Sequence, residues 1–126
     1  MSEINTKTVN SLTLAYLGDA EYELFVRMRL ISLHPNAHAH DLHRYAVGYV
    51  CAAAQAHIIK VFLEENFLTD EELAVVKRGR NHKTATKAKN ADPIDYKWAT
   101  AFEALIGYLY LSEQKERIQE IMEATL

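Results

Sequence analysis

Apolar residues recur along this chain at intervals of three and four rather than two, so helices are expected throughout and strands almost nowhere. Asn10 or Ser11 has the short polar side chain that satisfies free backbone N–H groups at a helix start. A long first helix is predicted from there through Leu14, Leu17, Phe25 and Met28 towards Ile31, with His34-Pro35-Asn36 ending it or turning the chain. A second long helix is predicted over roughly Asp41 to Glu65, where Leu42, Tyr45, Tyr49, Ala52 and Ala56 share helical spacing. Thr69 followed by Glu72 has the form of a capping box and opens a short helix through Leu73 and Val76. The basic text that follows reads as a loop, with Gly79 and Asn81 inside it and Pro93 near its end. Helices from about Ile94 to Leu111 and from about Ser112 to Ala124 complete the chain. The expected fold class is all-α, a helical bundle.

Composition narrows this picture without changing it. The 126 residues, 49% of them apolar with four Gly and two Pro, suit one helical domain over 1–126. The single cysteine, Cys51, has no internal partner and reads as a small buried hydrophobe in a reducing compartment. The N-terminal residues lack a charged-then-apolar signal pattern, and the run from Tyr45 to Ile59 is too short and too polar to span a bilayer. That run suits a buried helix, and the expectation is a cytoplasmic protein with no membrane partner.

Charge adds more. The net charge of −3 argues against indiscriminate nucleic-acid binding. Yet Lys77, Arg78, Arg80, Lys83, Lys87 and Lys89 follow one another with no acid among them, which places a positive patch on an otherwise acidic chain. The plainer reading is a solvated charged loop.

Two acids stand inside apolar helical text. Asp19 lies in Leu14-Ala15-Tyr16-Leu17-Gly18-Asp19-Ala20, and Glu103 in Trp98-Ala99-Thr100-Ala101-Phe102-Glu103-Ala104-Leu105-Ile106-Gly107. A carboxylate in such a setting requires a cation or hydrogen-bond donors. Each segment also carries a mid-helix glycine, Gly18 or Gly107, at a cost of about 1 kcal/mol relative to alanine. Close approach of the two helices would offset it and bring the acids together. Oxygen ligands alone suit Mg²⁺ better than zinc. Ordinary solvent-facing acids are the alternative, above all for Glu23, which has Arg27 four residues on.

These segments resemble known text. Leu14 to Ala20 is similar to the signature helix of ribonuclease III domains, and Glu103-Ala104-Leu105-Ile106-Gly107 to their second acidic motif. Arg78-Gly79-Arg80-Asn81 and the stretch from Thr100 to Leu111 resemble Mini-ribonuclease III, the subfamily without a separate double-stranded-RNA-binding domain. The resemblance implies a homodimeric endoribonuclease that cleaves double-stranded RNA and matures precursor 23S ribosomal RNA. It implies Asp19 and Glu103 as catalytic, Mg²⁺-holding acids, and Tyr16 as an aromatic seated on the partner subunit. The chain departs from the wider pattern at Ala15 and Thr100, where other ribonuclease III enzymes carry Glu and Asp, so one Mg²⁺ per site is expected. Candidate RNA contacts are Lys77, Arg78, Arg80, Asn81, His82, Lys83, Lys87 and Lys89, directed at phosphates and 2′-hydroxyls, because A-form RNA offers side chains little base information. No Ser-His or Cys-His nucleophile is arranged in the sequence.

Two other classes fit part of the text. A non-catalytic, dimeric RNA-binding scaffold would account for the two missing acids. A helical metal phosphohydrolase would account for His38-Ala39-His40-Asp41, although that class needs a further upstream histidine and the first 33 residues contain none. Asp41 is better read as the cap of the second helix.

Overall fold

The computed structural model describes residues 5–82 and 92–125, which fold as six helices: α1 (Ser11–Leu33), α2 (Ala39–Val50), α3 (Ala52–Glu64), α4 (Asp70–Arg80), α5 (Pro93–Leu111) and α6 (Lys115–Ala124). Lys83, Lys87 and Lys89 lie outside the described residues. No strand occurs among the described residues, and the fold is all-α.

The hub is α5. From Ala99 to Leu109 every residue except Glu103 is buried, and the helix packs against α1, α3, α4 and α6. A helix apolar all round belongs in the middle of a bundle. Its broadest contact is with α1, whose residues Leu14, Gly18, Tyr22, Val26 and Leu30 recur every four positions along the buried stripe. Tyr22 meets Phe102 edge-on at 5.0 Å between ring centroids, a favourable aromatic geometry.

The caps expected at two helix starts are present. Asn10 Oδ1 accepts from the backbone N–H of Leu12 at 2.8 Å. Thr69 and Glu72 form the reciprocal capping box, with Glu72 N–H donating to Thr69 Oγ1 at 3.2 Å and Thr69 N–H donating to Glu72 Oε1 at 3.0 Å. Glu72 does more than cap. It is buried, and Arg117 of α6 donates to both its carboxylate oxygens, at 2.9 and 2.8 Å, while also reaching the Phe67 carbonyl at 2.7 Å. Burial alone would raise the Glu72 pKa, but the bonds from Arg117 and Thr69 outweigh it and hold the carboxyl below its ordinary value.

Five expectations need correction. The helix predicted from Asp41 to Glu65 is two helices bent by 45°, with Cys51 extended between them as C-cap of one and N-cap of the next. The cause lies in phase: on one continuous helix Ala46 and Ile59 would sit about 140° apart, and the break lets α2 pack on α1 while α3 packs on α5. Cys51 is consequently exposed rather than buried, and so are Tyr45 and Val47. The basic stretch begins inside a helix, since α4 continues through Lys77, Arg78, Gly79 and Arg80 to a cap at Asn81. Gly79 there is a packing glycine, because a Cβ on it would stand 3.0 Å from the Cα of Ala101. Asp41 sits within the first turn of α2, paired with Arg44 at 3.2 Å, and the cap position belongs to His38. Ser112 closes α5 instead of opening α6, its hydroxyl donating to the Tyr108 carbonyl at 2.7 Å.

The glycines divide sharply. A Cβ on Gly18 would fall 2.7 Å from the carbonyl carbon of Glu103, and one on Gly107 would fall 2.8 Å from that of Leu14. A Cβ on Gly48 would meet nothing within 4 Å. Gly18→Ala is therefore expected to destabilise the protein by about 3 kcal/mol or more, because rigid backbone has to move. Gly48→Ala, in an open helical position, should stabilise it by roughly 0.5–1 kcal/mol. Chemical denaturation of both variants checks the pair; equal effects would contradict the packing described.

Candidate active site

At the crossing of α1 and α5 the two glycines remove the side chains that would otherwise keep the helices apart, and the backbones touch. Asp19 follows Gly18 on α1, and Glu103 lies one helical turn before Gly107 on α5. The crossing thus brings the two carboxyls into hydrogen-bonding reach. Asp19 is exposed at the rim; Glu103 is half-buried behind it.

The electrostatics of this pair are unfavourable without a partner. Burial pushes the Glu103 carboxyl from its ordinary 4.5 up to about 8, and the hydrogen bond and negative charge of Asp19 push in the same direction. Glu23 adds a smaller push, while a hydrogen bond from Gln55 opposes them all. Glu23 itself is engaged by Arg27 at 3.0 Å, the pairing its spacing suggested. Two oxygens-only side chains, one of them reluctant to ionise, form the kind of donor set that a hard divalent cation would neutralise. Among the described residues no three of His, Cys, Asp and Glu come together as a metal-holding group, so protein ligands would leave much of the coordination shell to water or substrate.

The positions that depart from the acidic pattern are not open to the same role. Ala15 is buried against the core, and Thr100 is buried with its hydroxyl donating to the Tyr96 carbonyl at 3.0 Å. Gln55 of α3 carried no signal as a site residue in the sequence, being one polar letter in a run of alanines. It is 2% exposed, and its Nε2 lies 3.5 Å from Glu103 Oε2.

Other candidate residues lie elsewhere. Tyr16 stands on the opposite side of α1 from the core, 84% exposed, in line with the exposed Leu24, Met28 and Ile31. Lys77, Arg78, Arg80 and Asn81 are exposed at the end of α4, with His82 half-buried beyond them. Arg78 donates to the Lys7 carbonyl at 2.6 Å. Arg80 lies over the Trp98 ring at 4.7 Å and donates to Asn81 Oδ1 at 3.2 Å. That stacking ties the basic end of α4 to the same helix that carries Glu103. His38 and His40 are surface residues.

The profile of the Ribonuclease III domain matches residues 12–114 of this all-helical chain, a span that includes both Asp19 and Glu103. Closer relatives share one name. Mini-ribonuclease 3 of Brevibacillus brevis is 54% identical over 117 residues, covering 90% of this chain and 83% of that protein. Mini-ribonuclease 3 of Enterococcus faecalis is 50% identical over 119 residues, covering 92% and 87%. The crystal structure of protein FN1578 from Fusobacterium nucleatum superposes with a TM-score of 0.81 at 34% identity, over 93% of this chain and 91% of that one. The chain belongs to the Mini-ribonuclease 3 family of ribonuclease III domains.

The raised Glu103 carboxyl has a consequence for stability. Between pH 4.5 and about 8 the folded protein holds a proton on Glu103 that the unfolded chain has released. Stability of the cation-free protein should therefore fall as pH rises through that window, and this contribution should level off above it. Denaturation with divalent cations chelated, compared with Glu103→Gln, isolates the effect: the variant should lose that part of the slope. Parallel pH profiles for the two proteins would contradict the raised Glu103 carboxyl.

Proposed function

We propose that this member of an endoribonuclease family hydrolyses phosphodiesters of double-stranded RNA at the Asp19–Glu103 pair, using Mg²⁺, and that its substrate is precursor 23S ribosomal RNA in the cytoplasm. The observation that carries the reading is the contact between an exposed and a half-buried carboxyl at the helix crossing. Two carboxyls forced together by glycine packing, with one driven up to about 8, are poorly suited to a structural role and well suited to holding a cation. Asp19 and Glu103 would hold Mg²⁺, which when bound polarises the scissile phosphate and lowers the pKa of an attacking water. Asp19, at the exposed rim, faces the substrate side. Glu103, anchored on the buried middle of α5, fixes the depth of the site and would give up its proton on cation binding. Family membership sets aside the scaffold and the metal phosphohydrolase.

Duplex RNA is read by shape and backbone, so its contacts should be cationic. Lys77, Arg78, Arg80, Asn81 and His82 support that role from the end of α4, and Lys83, Lys87 and Lys89 extend the same proposal along the sequence. Arg80, held over Trp98, keeps the patch beside α5, with Glu103 roughly 7.5 Å further along the helix axis.

The active form proposed is a homodimer. Tyr16, Leu24, Met28 and Ile31 expose an apolar stripe on the outer face of α1, and a two-fold interface would bury it twice. Two sites in one dimer would then cut the two strands of one duplex.

Asp19→Asn and Glu103→Gln should each abolish cleavage while leaving helicity and duplex-RNA affinity largely intact, since they keep volume and remove charge. A nuclease assay on duplex RNA across a Mg²⁺ series, beside a gel-shift assay, tests this; near-normal turnover of either variant at saturating Mg²⁺ would refute the assignment. Sedimentation at micromolar concentration should show a dimer for the native protein and a monomer for Tyr16→Asp, which places an unpaired charge at both copies of the contact. A native monomer would overturn the proposed assembly.

A further inference from the structure

Gln55 lies near the N-terminus of α3, at its packed contact with α5. Its Nε2 donates to the Val50 carbonyl at 3.0 Å and approaches Glu103 Oε2 at 3.5 Å. The Val50 carbonyl can only accept, so the amide has one sensible orientation, with its amino group towards Val50 and Glu103. The bond to Val50 has a structural explanation, because the bend at Cys51 interrupts the helical bonding that would serve that carbonyl. The rest of the amide has none. Its second N–H is directed at a carboxylate, and its Oε1 is buried without a hydrogen-bond partner among the described residues. Buried amide oxygens are ordinarily paired, and a methionine of similar volume would fill the space without leaving one unsatisfied.

We infer that Gln55 is a positioning residue of the Asp19–Glu103 site: its amino group orients the Glu103 carboxylate, and its Oε1 accepts a hydrogen bond from a water carried by the bound cation. The inference rests on the proposed cation site. With Ala15 a buried hydrocarbon and the Thr100 hydroxyl turned back onto its own helix, Gln55 brings a polar group to Glu103 from a third helix. Groups that orient a metal ligand from behind typically change affinity by about 10- to 100-fold when removed.

The test is direct binding of Mn²⁺, as a spectroscopic stand-in for Mg²⁺, to native protein, Glu103→Gln and Gln55→Met, with circular dichroism and melting curves as controls. The expected result is clear binding by the native protein, loss in Glu103→Gln, and binding weakened by about ten-fold or more in a folded Gln55→Met. Native-like affinity in Gln55→Met, alongside loss in Glu103→Gln, would overturn the role of Gln55 and leave the two-carboxylate site standing. Absence of native binding, or native-like binding by Glu103→Gln, would overturn the site and this inference with it. A second measurement needs no variant to fold. In the isotope-labelled native protein, the Gln55 side-chain amide resonances should shift on addition of Mg²⁺ with the same midpoint as binding. Resonances that stay in place through saturation would overturn the inference.

Discussion

The backbones of α1 and α5 touch where Gly18 meets Gly107, and the packing around them follows from that contact. Gly18 and Gly107 give up side chains where each would strike the opposite helix, and the two longest helices cross at backbone distance as a result. The same crossing seats Tyr22 against Phe102 and buries α5 between α1, α3 and α4. It also sets Asp19 beside Glu103. Stability and chemistry pull in opposite directions there: apolar packing holds the helices together, and the carboxyls it brings together resist being ionised at the same time.

The surrounding elements serve that crossing in different ways. The bend at Cys51 turns α3 so that Gln55, Ala56, Ile59 and Phe62 face inward, which brings an amide donor to Glu103. The buried Arg117–Glu72 pair fastens α6 to the start of α4, and α4 in turn packs Gly79 against Ala101 of α5. Arg80 then lies over Trp98 on that same helix. A basic helix end and an acidic crossing thus share one buried scaffold, which is what the proposed RNA and Mg²⁺ contacts call for.

Much of this was legible in the sequence because it depends on local chemistry. The caps at Asn10 and Thr69 follow from short polar side chains meeting free N–H groups, and the two mid-helix glycines announced a close approach. What remained hidden depends on distant partners. Arg117 meets Glu72 across 45 positions, and Gln55 meets Glu103 across 48, so neither contact leaves a mark in local spacing. The break at Cys51 contains neither Gly nor Pro; it reflects which neighbour each half packs on, which is a tertiary fact. Gly79 misled in the opposite sense. Beside Asn81 it resembles turn chemistry, yet it sits in a helix because Ala101 and Ala104 leave no room for a larger side chain.

The crossing sets two carboxyls together, and burial and Asp19 push the inner one, Glu103, up to about 8, so a proposed cation there would have to displace its proton. Titration calorimetry of Mg²⁺ into the native protein, in buffers of different ionisation enthalpy, counts the protons released on binding. With the Glu103 carboxyl at about 8, binding at pH 7 should release roughly one proton, falling towards none at pH 9, and Glu103→Gln should release none from this site. Binding at pH 7 with no proton release would contradict a protonated Glu103 at the cation site.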